Sequence, residues 1–306
     1  MISIVVPCFN ESENISALAR EVRTQFESRR EPYEIIFVDD GSTDDTLQRI
    51  KSLPAGANTR FISLSRNFGH QLALKAGLDY AEGDAVITMD GDLQHPPRLI
   101  PDLLAKWREG HAIVNTVRRR TGQAGFFKNN TSKLFYWIYE KVSGMPLAPG
   151  SADFRLLDKQ VVLALRRFKE PHLFLRGLIH WVGFKTATVD YDADPRFAGE
   201  TKYSLSKMVR FALDGIMTFS IKPLRVAGFI GVAISFFSAL YMAYGLFIVM
   251  FTDRAIVGWA SILVSVLFLG GIQMIFLGLL GEYIGRIFME SKDRPQYLIK
   301  EQSLRS

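Results

Sequence analysis

Along the first two-thirds of the chain, short apolar runs rich in β-branched residues alternate with stretches of helical spacing. The runs Ile2–Val6, Glu34–Val38, Arg60–Leu64, Ala85–Met89 and Ala112–Thr116 predict strands, and Ile15–Phe26, Thr46–Leu53, Gln71–Tyr80 and Leu99–Arg108 predict helices between them. This alternation predicts an α/β domain with a mostly parallel sheet from Ile2 to about Asp190. Such sheets bind ligands beyond the carboxyl ends of their strands. The loops after Val6, Val38, Met89 and Thr116 are therefore expected to share one site.

The last third has a different pattern. Val226–Phe251 and Ala255–Gly281 contain no charged side chain, and each exceeds the roughly 20 residues that a helix needs to cross a bilayer. A pair of core helices would keep a polar face, so the pattern predicts two transmembrane helices joined by a tight turn at Thr252, Asp253 and Arg254. Lys202, Lys207, Arg210, Lys222 and Arg225 precede this hairpin, and Arg286, Lys292, Arg294, Lys300 and Arg305 follow it, whereas the turn has Arg254 alone. The positive-inside rule then puts both termini in the cytoplasm, with the protein multi-pass in the inner (cytoplasmic) membrane. Met1 leads directly into a strand-like run without the basic, apolar and cleavage regions of a signal peptide. Before the hairpin, Leu205, Met208, Val209, Ala212, Leu213 and Ile216 recur at helical spacing opposite Lys207, Arg210 and Asp214. That is an amphipathic helix, lying on the bilayer or packed against the soluble domain. Glycines 231, 245, 270, 271, 278 and 281 permit close helix packing and self-association into a homo-oligomer.

Composition narrows the partners. The 37 Lys and Arg against 31 Asp and Glu give a modest excess. Much of it flanks the hairpin, which suits anionic lipid better than nucleic acid. One cysteine, Cys8, rules out an internal disulfide and suits a reducing compartment. No G-x-G-x-x-G and no G-x-x-x-x-G-K-[ST] occurs, so the phosphate-binding devices of dinucleotide dehydrogenases and P-loop NTPases are absent.

The predicted loops carry the polar chemistry. Asp90-Gly91-Asp92 places two carboxylates one residue apart after a buried strand, with a glycine that lets the chain turn. Hard oxygen ligands of this kind suit Mg²⁺ or Mn²⁺, which would neutralise a diphosphate leaving group, and Gln94 could add one more oxygen. Asp39 and Asp40 end another strand, and Asp39 is a candidate for hydrogen bonds to a base or ribose. Asp44 is expected to cap the following helix. Glu11, with the backbone around Pro7, would close the other side of a nucleotide pocket. Arg196 and Lys202, around the Gly199 turn, suit a loop that closes on phosphate and excludes water.

The ordered set IVVPCFNE, VDDGSTDDT and MDGDLQHPP resembles the family-two inverting glycosyltransferases of GT-A fold. SADFRLLDK around Asp153 and RFAGETKY at 196–203 narrow the resemblance to the polyprenyl-phosphate branch, which includes bactoprenol glucosyltransferases and dolichol-phosphate mannose synthases. The resemblance implies a Rossmann-like GT-A domain over 1–203, a juxtamembrane amphipathic helix over 204–222, two transmembrane helices within 223–285 (about 226–251 and 255–281) and a cytoplasmic tail over 286–306. It implies a metal-dependent enzyme that moves a sugar from a nucleotide-sugar onto undecaprenyl or polyprenyl phosphate, with glucose from UDP-glucose as the leaning. By position, Pro7, Phe9, Asn10, Glu11, Asp39, Asp40, Asp90, Gly91, Asp92, Arg118, Arg196 and Lys202 would bind the nucleotide-sugar. Asp90, Asp92 and Gln94 would hold the metal, and Asp153, Asp92 and Arg196 would be catalytic, with Asp153 the candidate base. A phosphomonoester, however, has a second pKa near ~6, so the attacking oxygen is already ionised at neutral pH and Asp153 is alternatively an orienting group. Other readings are a mannose or amino-sugar transferase on the same lipid, a processive polysaccharide synthase, which lacks its Q-x-x-R-W segment here, and a non-catalytic sugar-nucleotide-binding protein.

Overall fold

A computed structural model describes residues 1–27, 29, 31–54, 58–118, 151–170, 173–191, 220–251 and 258–303. They form two compact units, one within 1–191 together with 294–303 and the other within 220–293.

In the first unit the strands are β1 (Ile2–Cys8), β2 (Tyr33–Asp39), β3 (Thr59–Leu64), β4 (Ala85–Thr88), β5 (Ile113–Arg118), β6 (Ser151–Asp158), β7 (Thr186–Tyr191) and β8 (Ile299–Gln302). The helices are α1 (Ile15–Glu27), α2 (Thr46–Lys51), α3 (His70–Tyr80), α4 (Ile100–Arg108), α5 (Lys159–Arg166) and α6 (Leu175–Trp181), with a 3₁₀ turn at Pro97–Leu99. Among the described residues the sheet has eight strands in the order β7-β5-β6-β4-β1-β2-β3-β8. β1 pairs in parallel with β2 and β4, β2 with β3, and β5 with β7, whereas β6 and β8 run antiparallel to their neighbours. The mostly parallel α/β sheet expected from the sequence is present.

Every residue of β1 is buried, because helices cover both faces of the parallel core. Ile2, Ile4, Val6 and Cys8 share one cluster with Ile15, Leu18 and Val22 of α1 and Leu103 and Leu104 of α4. On the opposite face α3 comes so close that a Cβ on Gly77 would lie 2.2 Å from Val5 Cγ1 and 3.1 Å from Val38 Cγ2. Glycine is required there for close approach, since Gly77 has ordinary helical backbone.

β1 is flanked by β2 on one side and β4 on the other, which makes its carboxyl end the switch point of the parallel core. The loop after β5 is not the neighbour of the β4 loop, because β6 stands between them. Thr88 pairs with Arg155 and Ala85 with Asp158. Extending that antiparallel register by two residues places Asp153 opposite Asp90. Two hydroxyls pin β6 in this position: Thr88 Oγ1 donates to the Asp153 carbonyl at 2.5 Å and Thr116 Oγ1 to the Phe154 carbonyl at 2.8 Å.

The end of the tail folds onto the first unit. β8 pairs antiparallel with β3 and covers that sheet edge. Tyr297 donates its hydroxyl to Asp79 Oδ2 at 2.8 Å, Lys51 pairs with Glu301 at 2.7 Å, and Gln296 donates to the Glu170 carbonyl at 2.6 Å. Asp79 also holds the buried Lys75 ammonium one turn earlier in α3. Burial and the adjacent Asp79 push the Tyr297 hydroxyl far above its ordinary pKa, so it stays a neutral donor.

The second unit contains α7 (Lys222–Phe251) and α8 (Trp259–Ser291). Both are long and apolar enough to cross a membrane, over Lys222–Gly245 and Phe268–Ser291. α8 continues ten residues past the predicted end at Gly281, and Glu282 and Arg286 pair at 2.9 Å across one of its turns. Tyr283 donates to the Ser220 carbonyl at 2.7 Å, and Phe276 packs 3.9 Å from the Cβ position of Gly231. The turn at 252–254, the amphipathic segment at 204–219, Gly199, Arg196 and Lys202 lie outside the described residues.

Gly77→Ala is expected to destabilise the protein by about 1–3 kcal/mol through overpacking against Val5 and Val38, measured as a lowered thermal midpoint. Tyr297→Phe keeps the ring but deletes the bond to Asp79. Its expected cost is about 1 kcal/mol, with faster hydrogen exchange in β8 as the local readout.

Candidate active site

Three loops meet at the switch point, and the first two are stitched together by short polar side chains. Asn10, with φ of 55°, accepts from the Thr43 N–H at 2.9 Å and donates its own N–H to Ser42 Oγ at 3.0 Å. The Glu11 N–H donates to Thr46 Oγ1 at 2.8 Å, and Asp44 accepts from the Thr46 N–H at 3.0 Å and from its hydroxyl at 2.5 Å. The residue at the formal cap of α2 is Asp45, whose side chain makes no cap bond. Asp44, expected as the cap, instead serves this helix from one position earlier and also binds the loop after β1 through the Ser12 N–H at 3.4 Å.

Asp39 and Asp40 are both buried. Asp39 accepts from the Ser42 N–H at 3.1 Å and the Ser63 hydroxyl at 2.9 Å, so it shapes the turn that Gly41 makes at φ of 67°. Asp40 accepts from the Phe68 N–H at 2.7 Å and the Gly69 N–H at 2.9 Å. Those two bonds fix the loop that leads into α3, and therefore the position of His70 at its first turn. Pro7 is buried, Phe9 is exposed, and Glu11 is half-buried, with burial raising its pKa against the hydrogen bond from Asn14.

In the third loop, Asp90 to His95, Gly91 serves close packing and does not supply a special turn. A Cβ there would stand 3.2 Å from Cys8 Sγ and 3.5 Å from the Pro7 carbonyl oxygen. The left-handed backbone falls on Leu93, at φ of 60°, where a branched side chain is strained. Gln94 donates its backbone N–H to Asp92 Oδ1 at 3.1 Å and its amide to Oδ2 at 2.6 Å, so it braces Asp92. His95, stacked on Phe154 at 5.4 Å, accepts the Asp90 N–H on Nδ1 at 3.0 Å. Its proton is thereby assigned to Nε2, which faces Asp90 Oδ2 at 3.6 Å.

Asp90 Oδ1 is buried and makes no hydrogen bond, and His70 Nε2 stands 3.5 Å from it. Burial raises the Asp90 pKa, opposed by His95 and His70 and reinforced by the negative charges of Asp153 and Asp92. A buried carboxylate oxygen left without a donor, beside a second carboxylate, fits a hard divalent cation. Among the described residues no group of three or more His, Cys, Asp or Glu is gathered for a metal. The protein would thus supply two carboxylates and leave further positions to phosphate oxygens and water, as Mg²⁺ sites do.

Asp153 lies across from Asp90 and is buried. Among the described residues two guanidinium groups and one imidazole converge on it. Arg155 donates to Oδ1 at 3.0 Å, Arg176 donates through Nε to Oδ1 at 2.8 Å and through a terminal nitrogen to Oδ2 at 2.9 Å, and His70 Nε2 stands 3.3 Å from Oδ2. Burial alone would raise its pKa. The hydrogen bond to His70 and the two guanidinium groups outweigh it and hold Asp153 well below the usual carboxylate range. His70 in turn is raised above the ordinary imidazole value, because Asp153 and Asp90 outweigh the burial that lowers it.

His70, His95, Arg155 and Arg176 escaped the sequence reading. Arg155 has a signal, being two residues from Asp153 on the same strand face. So does Arg176, the lone charge in the run Leu173–Ile179. Arg118 closes β5, but its side chain lies outside the described residues, as Arg196 and Lys202 do.

The model for glycosyl transferase family 2 matches residues 3–165, and that for the GtrB C-terminal hairpin matches residues 222–287. The uncharacterized glycosyltransferase YkcC of Bacillus subtilis strain 168 is 42% identical over 300 residues, covering 98% of this chain and 93% of its own. The prophage bactoprenol glucosyl transferase homolog of Escherichia coli K12 and the bactoprenol glucosyl transferase of Shigella phage SfV are each 42% identical, with 98% of both partners covered. In fold, the mannosyl-3-phosphoglycerate synthase of Rubrobacter xylanophilus is similar with a TM-score of 0.52 at 20% identity, over 74% of this chain and 75% of its own. With a family model spanning more than half of the chain and relatives matching nearly all of it, this chain belongs to glycosyl transferase family 2.

Proposed function

We propose that this enzyme transfers glucose from UDP-glucose to undecaprenyl (bactoprenyl) phosphate at the cytoplasmic membrane face, with inversion at the anomeric carbon. The observation that carries the reading is the unpartnered Asp90 Oδ1 beside Asp92 at the switch point, in a family 2 chain that continues into an apolar hairpin. The matched bactoprenol glucosyl transferases support the acceptor and the sugar. The positive charges flanking the hairpin support two crossings with the catalytic unit and both termini cytoplasmic.

In this reading Asp90 and Asp92 hold Mg²⁺ or Mn²⁺, with Gln94 steadying Asp92 and His95 steadying Asp90. When bound, the cation supplies counter-charge to the diphosphate leaving group. The loops at Pro7–Glu11 and Asp39–Asp40 frame the nucleotide, and Arg118, Arg196 and Lys202 supply positive charge for phosphate. An oxygen of the acceptor phosphate forms the new bond to the anomeric carbon while the bond from that carbon to the donor diphosphate breaks. The electron pair leaves on the nucleoside diphosphate. No proton has to move, since the attacking oxygen is already ionised above its second pKa of ~6. Asp153 is poorly suited to act as a base, because its oxygens already accept from Arg155 and Arg176 and face His70.

Purified protein in detergent, offered radiolabelled nucleotide-sugars and undecaprenyl phosphate with Mg²⁺, Mn²⁺ or EDTA, is expected to label the lipid from UDP-glucose and to stop with EDTA. Asp92→Asn should lower transfer at least tenfold more than Asp153→Asn. Labelling of a growing polymer in place of a single lipid-linked sugar would sink the reading.

The pH dependence separates base from anchor. Asp153, with its pKa depressed, stays ionised from neutrality to below pH 5, losing its charge only as the pH falls through that lowered value. Acceptor kcat/KM should therefore fall as the pH drops through ~6, where the lipid phosphate takes up its second proton. The midpoint should be the same in Asp153→Asn; a wild-type fall centred instead at the depressed Asp153 value, and absent from this variant, would restore Asp153 as the base.

A further inference from the structure

We infer that the surface where α5 and α6 end is a docking surface for anionic lipid headgroups, by which the catalytic unit lies against the bilayer; this rests on the reading of α7 and α8 as membrane-crossing helices.

α6 buries Leu175, Leu178 and Ile179, an apolar face at helical spacing. Trp181, at the last turn, falls off that face and is 62% exposed. Its ring meets that of Phe168 edge-on at 5.6 Å, and Phe168 lies just beyond the end of α5. Leu163, also exposed, stands one turn before Arg167. Single exposed apolar side chains are ordinary. Here, however, an exposed indole is held against a second ring, and Arg167 and Lys169, both exposed, flank that ring in the chain. Between Lys159 and Lys185 the sequence has six Lys and Arg against one acid, Glu170, so this stretch is cationic. A tryptophan with an apolar body and a polar N–H suits the boundary between headgroups and acyl chains, and lysine and arginine beside it gain from anionic lipid.

The covalent path brings the same stretch to a bilayer. α8 ends at Ser291, and five residues later Gln296 donates to the Glu170 carbonyl at 2.6 Å. Five extended residues span at most about 18 Å. The chain itself therefore keeps Glu170, the neighbour of Lys169, within that reach of the end of an apolar helix.

Charge also selects lipid over two other occupants. A second copy of this surface, packed face to face, would set Arg167 and Lys169 against their own equivalents. The amphipathic segment at 204–219 brings Lys207 and Arg210. An anionic headgroup layer is the partner of complementary charge.

The test uses full-length protein with a nitroxide at His180→Cys, an exposed position next to Trp181. Wild-type protein, whose one cysteine is buried, is the labelling blank. Glu21→Cys, exposed on α1, is the reference, since α1 and α3 cover opposite faces of the sheet and α5 packs on α3. Accessibility to oxygen relative to a water-soluble nickel chelate is read in detergent, in phosphatidylcholine nanodiscs and in nanodiscs with about one-third phosphatidylglycerol. In the anionic nanodiscs the label at 180 should gain oxygen and lose chelate, while that at 21 stays open to the chelate. Adding Arg167→Gln/Lys169→Gln should lower the docked-to-undocked ratio about thirtyfold, the loss of two cations at an anionic surface. Trp181→Ala should lower it as well, and an unchanged thermal midpoint shows that each variant folds.

The inference is overturned by a label at 180 that stays as open to the chelate as that at 21, or by equal depth in neutral and anionic nanodiscs. It is also overturned by shielding already complete in detergent, which would assign the cover to the chain itself, or by spectral broadening between two copies in place of lipid contact. A label at Phe237→Cys, exposed on α7, separates the failures. If it meets lipid while residue 180 stays in water, only the docking surface falls; if it too is open to the chelate, the membrane reading falls with it.

Discussion

Two carboxylates brought face to face across adjacent strands govern this site. Asp90 at the end of β4 and Asp153 near the start of β6 raise one another's cost of ionisation, and burial adds to it. The protein answers with different neighbours for each. Asp153 receives two guanidinium groups and stays charged, whereas Asp90 receives two imidazoles and keeps one oxygen without a donor. His70 stands between them and couples the pair. One carboxylate is therefore satisfied by the protein, and the other keeps an oxygen without a donor.

Much of the surrounding fold exists to hold that arrangement. Asp40 reaches the backbone of Phe68 and Gly69, and so places α3 with His70 at its first turn. Thr88 and Thr116 clamp β6 between β4 and β5, which sets Asp153 against Asp90. His95 stacks on Phe154, the residue after Asp153, and bonds the Asp90 N–H, so one ring ties the two strands a second time. Gly91 lets the acidic loop settle on Cys8 and Pro7. Burial and the nearby acids Glu11, Asp39 and Asp90 push the Cys8 thiol up, which keeps it a neutral packing group in the midst of this negative charge.

The elements that were legible in the sequence share a physical reason. β1, β2 and β4 are covered on both faces, so each appears as a mostly apolar, β-branched run followed by a loop with acidic residues. β6 was hidden because two of its buried residues, Asp153 and Arg155, are charged and neutralise one another only in three dimensions. β7 alternates exposed and half-buried residues at a sheet edge, and β8 does the same. β8 is also more than two hundred residues from the strand it pairs with, a contact that no local pattern predicts. The acid pair of the third loop could be placed from its motif, but its helpers could not. Local spacing does not reveal that His70 and Arg176, more than a hundred residues apart, meet on the same carboxylate.

On the proposed reading the balance of charges also follows from the substrate. A sugar or alcohol acceptor arrives neutral and needs a base to become a nucleophile, so its site must keep a carboxylate ready to take a proton. A lipid phosphate arrives as an anion near neutral pH. Its site has the opposite task, which is to bring a charged nucleophile towards a diphosphate that is itself negative. Cations are needed on both sides of the reacting carbon, and a free basic carboxylate there would only repel the acceptor. The saturated Asp153 meets that requirement: its charge draws the guanidinium groups of Arg155 and Arg176 into the site and is consumed in holding them. The same aspartate that looks like a base in the linear sequence thus becomes, in the folded chain, the means of placing positive charge beside the reaction.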